Sequence, residues 1–344
     1  MEAIVLIVVL AVLYSALLRW ACKTLPGEKW QVMATLPVAR NEQGWSGINI
    51  TYYGFFQASA SALALTLVLF MLGTLGLDSG RAFLTTGPLL AAGMWASSHV
   101  ARIVEKKPAT FTVAGGAFTG LLLAPPAIWV GRRFFGVDLG LVPFLSALAV
   151  GYAFGEGLGR LACISFGCCY GKALSDLPAW VQKLVKGRGF VFSGPTKKVC
   201  YEGGLEGTPV LPIQALTSAV NVGLGLAGLY LFLTGRFTAA LLLVLPAVQL
   251  WRLFSETLRA DYRGGGRLTA YQIMALASIP IAAAIVLLFP GRAAMPRLAS
   301  GLDLLWGPEV LLGVEAAWVV VLLYVGRSKV TGADIRFHLI ESRI

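Results

Sequence analysis

Charge is scarce in this chain, so the places where it gathers are where chemistry is expected. Glu156 and Arg160 stand at i and i+4 in the stretch 155–172, at the end of a long apolar run. That spacing sets them on one helix face. Two readings follow. The pair can neutralise itself so that the span inserts, or it can hold an arginine ready for an anion, because the planar guanidinium donates parallel hydrogen bonds to phosphate. Spacing alone leaves both open. Polar groups at membrane depth usually face a cavity and carry function. A second constellation, Arg252, Glu256 and Arg259, repeats the pattern at the end of another apolar run, with Asp261 just beyond. Its i, i+4 and i, i+3 intervals place the three on one stripe of a helix. A snorkelling helix end has the same composition, but two arginine–carboxylate ends in one small bundle favour a shared anion pocket.

Cys163, Cys168 and Cys169 follow the first pair directly. The C-x4-C-C spacing is not that of a zinc knuckle and no histidine is near, so it points away from metal. A thiol beside Arg160 can act as a nucleophile; small polarizable packing residues are the alternative. Cys200 could bridge to Cys168 or Cys169 on an oxidising side. Gln214, Gln272, Tyr52, Tyr53 and the pair Gly115-Gly116 lie near span ends. Each fits an interfacial anchor or a helix-packing contact as well as a ligand.

Long apolar helices must position these groups. The chain has 344 residues, 57% hydrophobic and 13% charged, against about 25% charged in soluble domains. Apolar runs fall at 3–20, 53–77, 82–104, 111–130, 141–158, 211–233, 237–254, 268–289 and 304–325. Each is near the ~20 residues that cross a bilayer as a helix. The expected fold class is therefore an all-α polytopic membrane protein. The run at 304–325 is the weakest, because it contains Glu309 and Glu315. The first run lacks a basic flank and a small-residue cleavage site, which favours a retained span over a signal peptide. The net charge of +11 suits loops beside anionic lipid; nothing reads as a nucleic-acid module.

Two connections are long. The stretch 21–49 reads as a loop rich in turn residues. The stretch 165–210 reads as a small extramembrane cap, with a short helix at 180–185 and short strands at 191–195 and 199–202. Lys and Arg concentrate in the loops 21–49, 105–110, 159–210, 252–267 and 326–344, which the positive-inside rule makes cytoplasmic.

Taken together these residues resemble the prolipoprotein diacylglyceryl transferase family. The signature G-R-(x)2-[NC]-(x)3-G-(x)2-[WY]-G-[RK] reads as Gly159, Arg160, Cys163, Gly167, Tyr170, Gly171 and Lys172. The R-(x)3-E-(x)2-R span end reads as Arg252, Glu256 and Arg259. The P-x-Q element is Pro212-Ile213-Gln214, the Y-G opening Tyr53-Gly54, the G-G turn Gly115-Gly116 and the late Q-I Gln272-Ile273. The resemblance covers about 51–290. It implies a seven-helix core with the cap at 165–210, an added span and loop at 1–50, and an added span and basic tail at 291–344. The chain departs from the pattern at Ala114, Cys163, Cys168, Leu211 and Leu216-Thr217, where the family often carries His, Asn, an acidic residue, His and Tyr-Glu.

The resemblance further implies a bacterial inner-membrane enzyme that moves a diacylglyceryl group from phosphatidylglycerol, an anionic phospholipid, to the cysteine of a prelipoprotein, without cofactor or metal. In it Arg160, Arg252, Glu156 and Glu256 are the catalytic candidates. Tyr53, Gly115, Gly116, Gly159, Gln214, Arg259 and Gln272 are the substrate-binding ones, and Cys163 and Cys168 the candidate thiols. It sets the signature on the outer face, against the charge bias. Another acceptor, or lipid binding without turnover, is the alternative.

Overall fold

The computed structural model describes residues 2–41, 44–106, 112–185, 187–261, 268–289, 291 and 293–328. In chain order the elements are α1 (Glu2–Thr24), β1 (Val32–Asn41), β2 (Gly44–Thr51), α2 (Tyr52–Thr74), α3 (Ser79–Glu105), α4 (Val113–Phe135) and α5 (Leu141–Phe166). Then come α6 (Ala179–Leu184), β3 (Phe190–Val191), α7 (Lys198–Tyr201), β4 (Pro209–Val210), α8 (Ile213–Leu233), α9 (Phe237–Thr257), α10 (Ala270–Leu288), α11 (Leu298–Leu305), α12 (Pro308–Val325) and β5 (Arg327–Ser328). Eight of the described helices are long and apolar enough to cross a membrane: α1, α2, α4, α5, α8, α9, α10 and α12. They fit an integral multi-pass membrane protein. The long helix α3 falls outside that set, diluted by Thr85, Thr86, Ser97, Ser98, His99 and Arg102. The weakest run is thus α3. At the last run α12 starts at Pro308, so Glu309 sits in its first turn, where a carboxylate complements the helix dipole.

Polar side chains set the helix ends. Thr51 accepts from the Gly54 amide at the start of α2, and Asp78 from the Arg81 amide at the start of α3. Thr269 and Gln272 form a reciprocal capping box on α10, satisfying donors that a helix start leaves open. α5 is the hub. It packs between α2 and α8 with α9 alongside, and Phe144, Val150 and Phe154 share one buried apolar cluster with Leu69, Val222 and Val244. Helices in lipid associate by close packing, which small residues permit. A Cβ on Gly151 would lie 2.4 Å from Val68, and one on Gly157 2.6 Å from Val222. The outermost helices differ. Along α1, Val5, Val8, Val12 and Leu13 are exposed, as a lipid-facing surface requires.

Two connections carry structure that the hydropathy pattern hides. The stretch expected as a loop at 21–49 contains β1 paired antiparallel with β2, and β5 adds to the far edge of β2. Alternating apolar residues at Ile48 and Ile50 are the trace of it, too short a signal beside nine hydrophobic runs. In the cap, α6 lies where a short helix was expected. The strand expected at 199–202 is instead the helical turn α7, and β3 pairs with β4. Lys197 joins cap to bundle: its side chain is fully buried and its ammonium donates to the carbonyls of Leu25 (3.1 Å) and Ser165 (2.6 Å). Burial pushes this lysine down to about 8.

Candidate functional site

The last turns of α5 bring Glu156 and Arg160 onto the face that meets α9. Arg160 donates to Glu156 Oε1. Arg252, 96 positions away on α9, donates to the same oxygen at 2.5 Å and to the hydroxyl of Tyr152 at 2.9 Å. All three are deeply set, with side-chain exposures of 3% for Glu156, 14% for Arg160 and 11% for Arg252. One carboxylate between two guanidiniums leaves the trio with a net positive charge. Glu156 Oε2 and Arg252 Nε have no hydrogen-bond partner among the described residues. Buried polar groups are normally paired, and each exception calls for a reason. An anion set against Arg252 would accept from its unmatched Nε.

Beside this trio lies a cavity of about 270 Å³ among α2, α3, α4, α5, α9 and α10. Its walls are mostly apolar, with Leu65, Val68, Leu89, Leu121, Leu145 and Leu148. Tyr152 and Glu156 line it as well, joined by Gln57, Ser61 and Gln249. Gln57 approaches Gly159, where a Cβ would lie 3.1 Å from its Oε1, so Gln57 and Glu156 mark the same end. The cavity therefore runs from a polar end, where Gln57, Tyr152 and Glu156 reach it, into an apolar interior. Gly115 and Gly116 seat α4 on α3; Cβ atoms there would meet Val100 at 2.9 Å and Ser97 at 2.4 Å, and Gly116 also lines the cavity.

The second arginine stripe does not survive as one unit. α9 ends at Thr257, so Arg259 lies beyond the helix. It bridges Gly171 in antiparallel fashion and forks onto Asp261 with two bonds of 2.8 Å. Glu256 accepts from Thr269 at 2.6 Å, so the partner of Arg252 is Glu156. Gln272 caps α10 and reaches the Leu253 carbonyl at 3.4 Å. The segment after α5 is clamped on both sides: the Ala260 amide donates to Tyr170 and the Leu211 amide to Lys172. A Cβ on Gly171 would lie 2.4 Å from the Leu211 carbonyl, so only glycine fits there. Gln214 donates to the Cys168 carbonyl at 3.0 Å, and its Oε1 is buried without a partner among the described residues. Tyr53 stands edge-on to Phe166 and lies within electrostatic reach of Arg160 and all three clustered cysteines.

Gly167, at φ +72°, closes α5, and the amides of Gly167 and Cys168 both return to the Cys163 carbonyl. This turn folds Cys168 and Cys169 back over the helix end. The Sγ atoms of Cys163, Cys168 and Cys169 lie within 4.8 Å of one another, with Cys163 and Cys169 at 3.7 Å. Contacts with Cys163 and Cys169, together with burial, hold the Cys168 thiol well above the usual thiol value. No disulfide links the five cysteines, and Cys200 packs in the cap core with Phe192 and Val199. The bridge from Cys200 is not formed.

Sequence reasoning passed over Tyr152, Gln57 and Gln249. Each is a polar group inside an apolar run, and Tyr152 stands one turn before Glu156, so the i, i+4 rule could have found it. Comparison with family models, curated proteins and solved structures returns no match.

Proposed function

We propose that the chain is an integral-membrane transferase that takes a diacylglyceryl group from an anionic phospholipid, phosphatidylglycerol, and passes it to an acceptor thiol, as the prolipoprotein diacylglyceryl transferases it resembles do. The observation that carries this reading is the convergence of Arg160 and Arg252 on Glu156, the carboxylate that lines the polar end of an apolar cavity. A phosphodiester has the charge and the paired oxygens that two guanidiniums take. Its acyl chains need an apolar slot, and about 270 Å³ is close to the lower bound of ~300 Å³ for ligand pockets. The glyceryl part and the first segment of the chains fill it, and the remainder extends into the bilayer. In this reading α2–α5 and α8–α10 form the seven-helix core, and α1 and α12 are the added spans.

In the reaction a thiolate sulfur attacks the glyceryl carbon that bears the phosphate. The C–S bond forms, the C–O bond breaks, and glycerol phosphate leaves with the electron pair. The two arginines stabilise the charge that grows on the departing phosphate. Glu156 holds both guanidiniums in register and Tyr152 fixes Arg252. The thiol proton must pass to a base. The full chain in phosphatidylglycerol vesicles, given a peptide with the lipoprotein acceptor cysteine, is expected to release glycerol phosphate and yield a thioether-linked lipid peptide. Saturable phospholipid binding without release, with any thiol, overturns catalysis in favour of a lipid-binding role.

A further inference from the structure

The reading above lacks one element, a group that delivers the acceptor as thiolate. Both candidate carboxylates are engaged, Glu156 by two arginines and Glu256 by Thr269. The three clustered thiols stand next to the arginine site: Cys163 is within electrostatic reach of Arg160, and Tyr53 within reach of Arg160 and of all three. Their sulfurs lie close enough together for one metal ion to bridge them. Zinc binds thiolate at about 2.3 Å in a tetrahedron, which sets neighbouring sulfurs about 3.8 Å apart. Cys163 and Cys169 are already 3.7 Å apart, and every pair is within 4.8 Å. The backbone is bent to achieve this. Gly167 turns the chain, and Cys169 itself sits at φ +55°, a left-handed conformation that non-glycine residues rarely adopt and that clusters at functional sites. Packing alone does not require three thiols to converge at such a turn. Zinc with three thiolates carries a net negative charge, and two cations flank the cluster: Arg160, and Lys198, which is within electrostatic reach of Cys168 and Cys169.

We propose that Cys163, Cys168 and Cys169 bind zinc as three thiolates and leave its fourth position open for the acceptor thiol. Binding of the metal releases three thiol protons, and binding of the acceptor releases one more. The zinc-bound acceptor sulfur is then held as thiolate beside the arginines that take the donor phosphate. The last step rests on the transferase reading; the metal site does not. Three protein ligands with one open position is the arrangement of catalytic rather than structural zinc.

The test uses the full chain, purified in detergent under a phosphine reductant and measured by elemental analysis and by cobalt substitution. A single equivalent of zinc is expected, together with an intense sulfur-to-cobalt charge-transfer band after exchange. Both should be lost in Cys163→Ser, Cys168→Ser and Cys169→Ser, and kept in Cys22→Ser and Cys200→Ser. Retained near-wild-type melting of at least one of the three metal-free variants guards against misfolding. The cobalt spectrum should shift when the acceptor peptide is added and should not shift with its Cys→Ser form. Zinc-free protein with no cobalt–thiolate band overturns the site, and so does metal that persists in the triple serine variant. An unchanged cobalt spectrum with peptide overturns the open position. Metal and spectral shift without lipid transfer would leave the metal site standing while the transferase reading falls; transfer by the triple serine variant would keep the transferase reading and overturn the delivery of the acceptor by zinc.

Discussion

Arg252 and Arg259 lie close together in the sequence and end in opposite surroundings. Arg259 meets a carboxylate with a matched fork, both bonds at 2.8 Å, in a junction where Gly171 and Tyr170 pair with residues 259 and 260. Its charge is cancelled. Arg252 shares a single carboxylate oxygen with Arg160, on a glutamate that lines a cavity, and keeps an unmatched Nε among the described residues. Both arginines are largely buried, at 8% and 11% side-chain exposure, so depth does not separate them. Surroundings do. Arg259 is forked onto a carboxylate of its own chain segment in a clamped junction, whereas Arg252 reaches across the bundle to a carboxylate that it shares with Arg160 beside a cavity.

Four experiments can break or sharpen that contrast. The largest effect is expected from Glu156→Gln, which removes the carboxylate that two buried guanidiniums share. Removing one partner of a buried ionic group costs about 3–5 kcal/mol, so thermal unfolding in detergent should fall steeply and recover in part with added phosphate. Unchanged melting would mean that the trio is solvated and not a site. Arg160→Lys comes next. A point charge does not reproduce a bidentate fork, and a rate loss of at least about a hundredfold is expected, roughly 2.7 kcal/mol of barrier, in a variant that still folds. Wild-type turnover removes Arg160 from the reaction.

Asp261→Asn tests the other side of the contrast. It should cost about 1.5–3 kcal/mol, the scale of a charged hydrogen bond, as faster proteolysis at the junction of 170–173 with 258–260. Phospholipid affinity should stay as it was; a loss of affinity equal to that of Arg160→Lys would merge the two arginine regions into one site. The smallest effect concerns Lys197. Its folded value of about 8 lies below the ordinary 10.5, so between those two limits the unfolded chain binds more protons and stability rises with pH. Below about 8 both states are protonated and the full cost of burying the ammonium applies. Hydrogen exchange at the cap amides, corrected for intrinsic rates, should slow as pH climbs through that window. A Lys197→Met variant should lack the trend, and a trend that persists in it assigns the effect to another group.

Much of this architecture is visible in local pattern. Runs of apolar residues near the length of a bilayer crossing locate the helices, because lipid admits little else. The Glu156–Arg160 contact follows from 3.6-residue periodicity alone. Periodicity also suggested one stripe of Arg252, Glu256 and Arg259, and there it failed, because the rule holds only while the helix continues and α9 stops at Thr257. The paired strands β1 and β2 were hidden for a related reason: strand pairing is non-local, and a short alternation carries little weight on its own.

What the sequence by itself determined is therefore a helical membrane protein with charge concentrated at two span ends and three thiols after the first, since those features depend on neighbours within a turn or two. The tertiary structure decided which charges meet. It set Arg252 on Glu156 across 96 positions and turned Arg259 away to Asp261. It also folded Cys168 and Cys169 back onto Cys163 through the turn at Gly167. These contacts depend on how α5 and α9 pack and how the chain reverses at a helix end. That is a matter of whole-bundle packing, for which no residue pattern of short period carries a signal.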